Sequence, residues 1–171
     1  SSKTTIAHLL HDAGYQTSII GKWHLHSYPT GFDYWRVLPG MGQYFDTRMI
    51  TMNGDTITEK GYSAEALTAD AINWLENRDK NKPFAFFFHH KAPHRNFVPA
   101  LKYLEEYHSK TFPEPATLYA DTIGRGSAWQ MQTMSILLDM RLSGDLKIDP
   151  AYLKDIPELK PDAEDVATYN A

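Results

Sequence analysis

The chain alternates short apolar runs with polar, glycine-marked breaks, and the first run sets the plan. Thr17, Ser18, Ile19 and Ile20 form a compact β-prone stretch between Gly14 and Gly21, which predicts a short buried strand. Ahead of it, Ile6, Leu9, Leu10 and Ala13 recur at helical spacing behind Thr4 or Thr5. A short helix is expected there, with threonine as its cap and Gly14 as its left-handed stop. Met49-Ile50-Thr51-Met52 and Thr56-Ile57-Thr58 flank Asn53-Gly54-Asp55, the pattern of a hairpin closed by a tight primed turn. From Ser63 the period changes: Leu67, Ala71, Trp74 and Leu75 make one apolar stripe, with Ser63 as cap and Glu65 in the first turn, so a second helix is expected. A polar break from Asn77 to Pro83 gives way to Phe84-Ala85-Phe86-Phe87-Phe88, a continuous apolar run of the kind buried on both faces of a sheet. Helix, loop and buried strand in that order imply βαβ architecture. The fold class is therefore α/β, with a mostly parallel central sheet flanked by helices.

The remaining stretches are less regular. Pro29, Gly31, Pro39, Gly40 and Gly42 rule out a long helix, and Tyr28, Phe32, Tyr34, Trp35, Tyr44 and Phe45 are interleaved with them. Such a segment either lines a sugar-binding cleft or packs against the sheet, and packing is the commoner use of large hydrophobes. Leu101, Leu104 and Tyr107 mark a short helix after Pro99, and Met131, Met134 and Leu138 are in register for a helix over about 127–141 whose stripe reads as core. From Leu142 onward, Pro150, Pro157, Pro161 and many acids predict a loop or partly disordered tail. His8 and His11 are expected on the solvated side of the first helix, with no role.

Composition narrows the function classes. A chain of 171 residues, 42% hydrophobic and 22% charged, can bury one core, so residues 1–171 are expected to form a single unit. A net charge of −4 supplies no basic field for nucleic acid, and no apolar run approaches the roughly 18 residues that would span a membrane. With no cysteine in the chain, disulfides, thiolate metal sites and a cysteine nucleophile are excluded.

Candidate chemistry gathers where the two apolar strands end. The first delivers Lys22 and His24 to the C-terminal edge of the sheet, the edge at which α/β folds bind ligands. If the backbone stays extended, residues two apart point the same way, so a fixed cation and a titratable imidazole would face one anion. The second delivers His89, His90, Lys91, His94 and Arg95 to the same edge. His90 and His94 would share a face on a helix and suggest zinc, but Pro93 argues against a helix there and no acidic or thiol partner follows nearby.

Gly14-Tyr15-Gln16-Thr17-Ser18-Ile19-Ile20-Gly21-Lys22-Trp23-His24 resembles the corresponding segment of type I sulfatases, members of the alkaline-phosphatase-like superfamily. The likeness continues through Pro29-Thr30-Gly31-Phe32-Asp33-Tyr34-Trp35, Gly40-Met41-Gly42-Gln43-Tyr44-Phe45 and Lys91-Ala92-Pro93-His94-Arg95. The branch resembled acts on sulfated sugars and includes glucosamine-6-sulfatase-like enzymes. The resemblance implies a three-layer sandwich, hydrolysis of sulfate esters and a sulfated carbohydrate as substrate partner. It also implies roles: Lys22 holds sulfate and the formylglycine, and His24 hydrogen-bonds the aldehyde hydrate and helps to expel sulfate. His94 contacts sulfate and protonates the leaving alkoxide. His90, Lys91 and Arg95, delivered to the same edge, are candidates either for supporting those groups from behind or for binding substrate at the rim. Formylglycine arises in the family from a Cys/Ser-x-Pro/Ala-x-Arg motif that this chain lacks, and the family's Ca2+ clusters are expected outside these residues. The chain thus reads as the middle portion of a sulfatase catalytic domain, inactive by itself, from a periplasmic, secreted or lysosomal parent. Two alternatives stand: a truncated, non-catalytic module that binds sulfated glycans, and a phosphonate or phosphodiester hydrolase of the same superfamily.

Overall fold

Threonine and glycine bracket the first helix as their chemistry dictates. In a computed structural model describing residues 3–156 and 160–170, helix α1 (Ile6–Asp12) has Thr5 as its N-cap, and Gly14 turns at φ 87° into strand β1 (Gln16–Lys22). The expected apolar stripe of α1 is not buried. Ile6 and Leu9 are exposed and Ala7 is the residue packed inside, because the chain at Gly31 lies directly on the helix. A Cβ at Gly31 would stand 2.7 Å from the His8 backbone nitrogen. His8 is also not idle: its Nδ1 accepts from the Thr5 N–H at 3.2 Å, and His11 Nε2 lies 3.2 Å from Asp33 Oδ1.

Strand β1 lies inside the sheet, paired on both sides. It runs parallel to β2 (Tyr34–Leu38) on one side and to β5 (Phe84–His89) on the other. Strands β3 (Arg48–Thr51) and β4 (Thr56–Thr58) add an antiparallel hairpin, giving the order β4-β3-β2-β1-β5. Strand β2 lies inside the segment expected to be irregular. Its β-prone run Tyr34-Trp35-Arg36-Val37-Leu38 is set between the glycine and proline breaks rather than broken by them. The hairpin turn differs as well. Thr51 N–H donates to Asp55 O and Gly54 N–H to Thr51 O, both at 2.9 Å, and Gly54 is left-handed at φ 85°. This is a three-residue loop closed by a left-handed glycine, not a two-residue primed turn.

Alternation along the strands divides two apolar layers. Ile20, Leu38 and Met49, with Phe86 and Phe88, face helix α2 (Ser63–Asn77) and pack on its Leu67, Ala71 and Trp74. On the opposite face Ile19, Trp35 and Val37 pack with Trp23, Phe32 and Phe87. Tyr62, not Ser63, is the N-cap of α2. Arg36 joins sheet to helix: its guanidinium donates to Glu59 and, at 2.8 Å, to buried Asp70, which also accepts from Tyr34 Oη at 3.1 Å. Burial, reinforced by the Asp70 charge, pushes the Tyr34 phenol up to about 12. The run 84–88 is not buried on both faces. Strand β5 pairs only with β1 among the described residues and stays half-exposed.

The chain divides into two compact units, residues 1–94 and 95–171, where composition suggested one. The second unit holds a 3-10 turn at Leu101–Tyr103 and helices α3 (Ser127–Met131), α4 (Ile136–Asp139), α5 (Pro150–Leu153) and α6 (Ala163–Asn170). The helix expected over 127–141 is thus two pieces. Gln132 leaves helical space at ψ 139°, and Ser135 opens a new helix by accepting from Leu138 N–H at 3.1 Å. Met131, Met134 and Leu138 are exposed rather than core. The expected tail contains α5, which follows from Asp149 as cap and Pro150 in the first turn. Pro157 lies outside the described residues. No described helix is long and apolar enough to cross a membrane.

Candidate active site at the C-terminal edge of the sheet

Strands β1 and β5 run parallel, so Lys22 and the residues after His89 emerge at one edge of the sheet. Gly21 makes their approach possible. It pairs with His89 at φ 111°, and a Cβ there would lie 1.9 Å from the His89 carbonyl oxygen. His89 Nδ1 sits 3.1 Å from the Lys22 carbonyl, so that nitrogen carries the proton and the two strand ends are tied. The chain does not stay extended past Lys22. His24 is left-handed at φ 49°, so strand alternation does not carry Lys22 and His24 to a common face; a turn sets the direction of the imidazole.

Lys91 is the least exposed cation of this edge, at 9%. Its Nζ donates to the Met41 carbonyl at 3.3 Å and stands 4.9 Å above the Tyr44 ring centroid. Burial first, and then the positive charge of Lys22, pull its pKa below that of an ordinary lysine. Among the described residues no carboxylate offsets this repulsion. The Lys91 side chain is thus turned inward, toward Met41 and Tyr44.

His94 follows in a turn whose main chain is held twice. Its N–H donates to Lys91 O at 3.0 Å, and its own carbonyl accepts from Tyr44 Oη. His90 packs edge-on against Phe88, with ring centroids 4.2 Å apart. Its Nδ1 is buried without a partner among the described residues, and burial lowers its pKa. The segment around 90–94 is not helical, so the four-residue spacing of His90 and His94 does not place them on one face. No group of three or more His, Cys, Asp or Glu among the described residues is arranged to hold a metal ion. Arg95 belongs to the second unit. Its guanidinium is engaged with buried Asp145, through Nε at 3.1 Å and through Nη2, rather than offered to a ligand. Burial pushes the Asp145 carboxyl up, but the hydrogen bonds from Arg95 outweigh it and hold the carboxyl below its usual value.

Beside the edge lies a groove of about 460 Å³ lined by Trp23, His24, His26, Ser27 and Tyr28, with Val37, Leu38 and Ile50 as its floor. The aromatic segment therefore splits. Trp35 and Tyr44 are buried packing, whereas Tyr28 is exposed and stacks on Trp35 at 5.6 Å. Sequence reasoning did not foresee the contact between Tyr44 and His94. The two residues meet across 50 positions of chain, and no local pattern announces such a pairing.

Residues 1–134 match the family model for sulfatases. The chain is 50% identical over 147 residues to an N-acetylglucosamine-6-O-sulfatase of Bacteroides thetaiotaomicron, covering 84% of this chain and 26% of the relative. It is 30% identical to an uncharacterized sulfatase of Schizosaccharomyces pombe, over 64% of this chain and 24% of that protein. The chain thus spans about a quarter of the length of these curated relatives. Among solved structures, BT4656 in complex with its substrate D-glucosamine-2-N,6-O-disulfate superposes with a TM-score of 0.73 at 43% identity, covering 99% of this chain and 36% of that one. Ps i-CgsB in complex with a neocarrahexaose shares the fold at a TM-score of 0.54 and 24% identity, over 62% of this chain and 30% of that one.

Proposed function

Since the chain belongs to the sulfatase family, we propose that it is the central portion of a sulfuric ester hydrolase acting on 6-O-sulfated glucosamine-type sugars. The observation that carries this reading is the register of β1 and β5: the two parallel strands bring Lys22 and the turn that carries His94 to one edge of the sheet, so a fixed cation and an imidazole are delivered to the same place. A relative named for N-acetylglucosamine 6-O-sulfate and a solved structure bound to a glucosamine disulfate support the sugar class.

In this reading Lys22, at the end of a rigid strand, holds the sulfate oxygens. When the sulfuryl group passes to a nucleophile supplied from outside these residues, the broken ester S–O bond leaves charge on the sugar oxygen, and His94 would give a proton to that alkoxide. His24, at the mouth of the groove, contacts the sulfate side of the ester, while Trp23 and Tyr28 offer ring faces to the sugar. Formylglycine and Ca2+ are assigned to parts of the protein outside these 171 residues, because no cysteine is available here and no described cluster suits a metal.

The test is sulfate release from glucosamine 6-sulfate by the complete enzyme. Lys22→Ala and His94→Ala are each expected to slow turnover by about 100-fold or more, the scale of losing an electrostatic or acid-base group. Near-full activity in either variant would refute the assignment.

A further inference from the structure

Four residues at the strand edge form a closed loop of contacts that none of the roles above uses. The Lys91 ammonium donates to the Met41 carbonyl and lies over the Tyr44 ring. The Tyr44 hydroxyl donates to the His94 carbonyl, and the His94 N–H donates back to the Lys91 carbonyl. Tyr44 is 8% exposed and Lys91 9%, so the contacts are made away from bulk water, where cation–π and hydrogen-bond terms weigh most. The 39–45 segment turns through Gly40 and Gly42, both left-handed at φ 55° and 69°, and its backbone is anchored, with Gly42 N–H donating to Pro39 O at 3.1 Å and Ser63 N–H to Tyr44 O at 2.7 Å. The Tyr44 hydroxyl reaches the main chain of the turn at the His94 carbonyl. The anchored 39–45 segment therefore helps to fix that turn.

We propose that Tyr44 and Lys91 are positioning residues for the sulfatase reaction: together they clamp the main chain of His94 so that its imidazole meets the leaving oxygen. The ammonium of Lys91 does not touch substrate. It holds the Tyr44 ring flat against the 90–94 turn, and the phenol hydroxyl then fixes the His94 carbonyl. The buried cation gives the clamp a second property, since it is stiffest while the ammonium is charged, and an anion bound at Lys22 favours that charged form. This inference rests on the proposed role of His94 in proton donation.

The experiment uses the complete enzyme and two readouts, steady-state sulfate release and the NMR signals of the His94 ring. Tyr44→Phe keeps the ring beneath Lys91 and removes only the hydroxyl. It is expected to lower kcat by about 10-fold or more, the range for a misplaced catalytic group, with KM changed by less than about twofold. The His94 ring signals should shift and broaden. Lys91→Met should reproduce both effects, and Lys91→Arg, which keeps a cation over the ring, should restore kcat to within about threefold of wild type. Tyr44→Phe with wild-type kcat and unmoved His94 signals would overturn the clamp. So would a Lys91→Met variant whose loss appears in KM alone, because that is the mark of a substrate contact. His94→Asn separates this inference from the reading beneath it. Wild-type turnover in His94→Asn would remove the clamp's catalytic consequence, while shifted ring signals in Tyr44→Phe would still show whether the hydroxyl holds His94 in place.

Discussion

His90 carries an imidazole whose Nδ1 is buried without a partner among the described residues, against the edge of Phe88. Burial favours its neutral form, so its folded pKa lies below the unfolded value of 6.5. Between those two values the unfolded chain binds the extra proton, and stability rises with pH. The contribution of His90 is therefore intact above the unfolded pKa and is lost as pH falls from there to the folded one. Replacing His90 with Phe should flatten this dependence, narrowing the difference in melting temperature between about pH 7.5 and about pH 5.5 by about 2 °C or more. Thermal scans of both proteins at both pH values decide it, and an unchanged difference would show that the ring titrates as freely as in the unfolded chain. At this scale the sequence is informative about which residue types gather and silent about their partners. That Lys22, His24, Lys91 and His94 belong to strand ends was legible from the apolar runs preceding them. That Lys91 turns inward to Met41 and Tyr44 was not, since those residues lie about fifty positions away in chain and no periodicity links them.

At the scale of elements, Gly21 shows how a local rule can be right for an incomplete reason. In the sequence Gly21 marks the end of the apolar run before Lys22. It is left-handed, but it is also the point where β1 and β5 come into direct backbone contact, with room for no Cβ against His89. Gly21→Ala should therefore combine a strained φ with a clash against main chain, a loss of about 2–5 kcal/mol from both causes together. Urea unfolding of wild type and variant measures it, and a loss below about 1 kcal/mol would mean that the strands can part at no cost. The same pairing explains which elements could be read in advance. Strand β1 and helix α2 have strong, matching signals of period and cap. Strand β2 has an equally apolar run, hidden because proline and glycine surround it and the breaks were given more weight than the strand between them. The helix expected over 127–141 failed for the opposite reason: Met131, Met134 and Leu138 keep helical spacing across a segment where Ser135 restarts the helix by capping it. A periodic stripe says nothing of a backbone interruption between its members.

At the scale of the whole molecule, the sheet brings Lys22 and the turn of His94 to one edge, and these residues are the cationic half of the sulfate-ester site proposed for it. Lys22 ends β1 and His94 follows β5, the strand paired with it, while Arg36, Asp70, Glu59 and Tyr34 brace β2 against α2. What this half can do by itself follows from its chemistry. Lysine and histidine can bind an anion and move a proton, but covalent turnover of a sulfate ester needs a nucleophile that forms an intermediate. Among these 171 residues there is no cysteine, and no Cys/Ser-x-Pro/Ala-x-Arg motif. The isolated chain should therefore release no sulfate from glucosamine 6-sulfate above the uncatalysed rate, even with Ca2+ added. Ion chromatography of the released sulfate, with a complete sulfatase as positive control, reads the outcome directly. Turnover by the purified chain would mean that a hydroxyl or imidazole already present attacks sulfur, and the division of labour proposed between this segment and the rest of the enzyme would have to be abandoned.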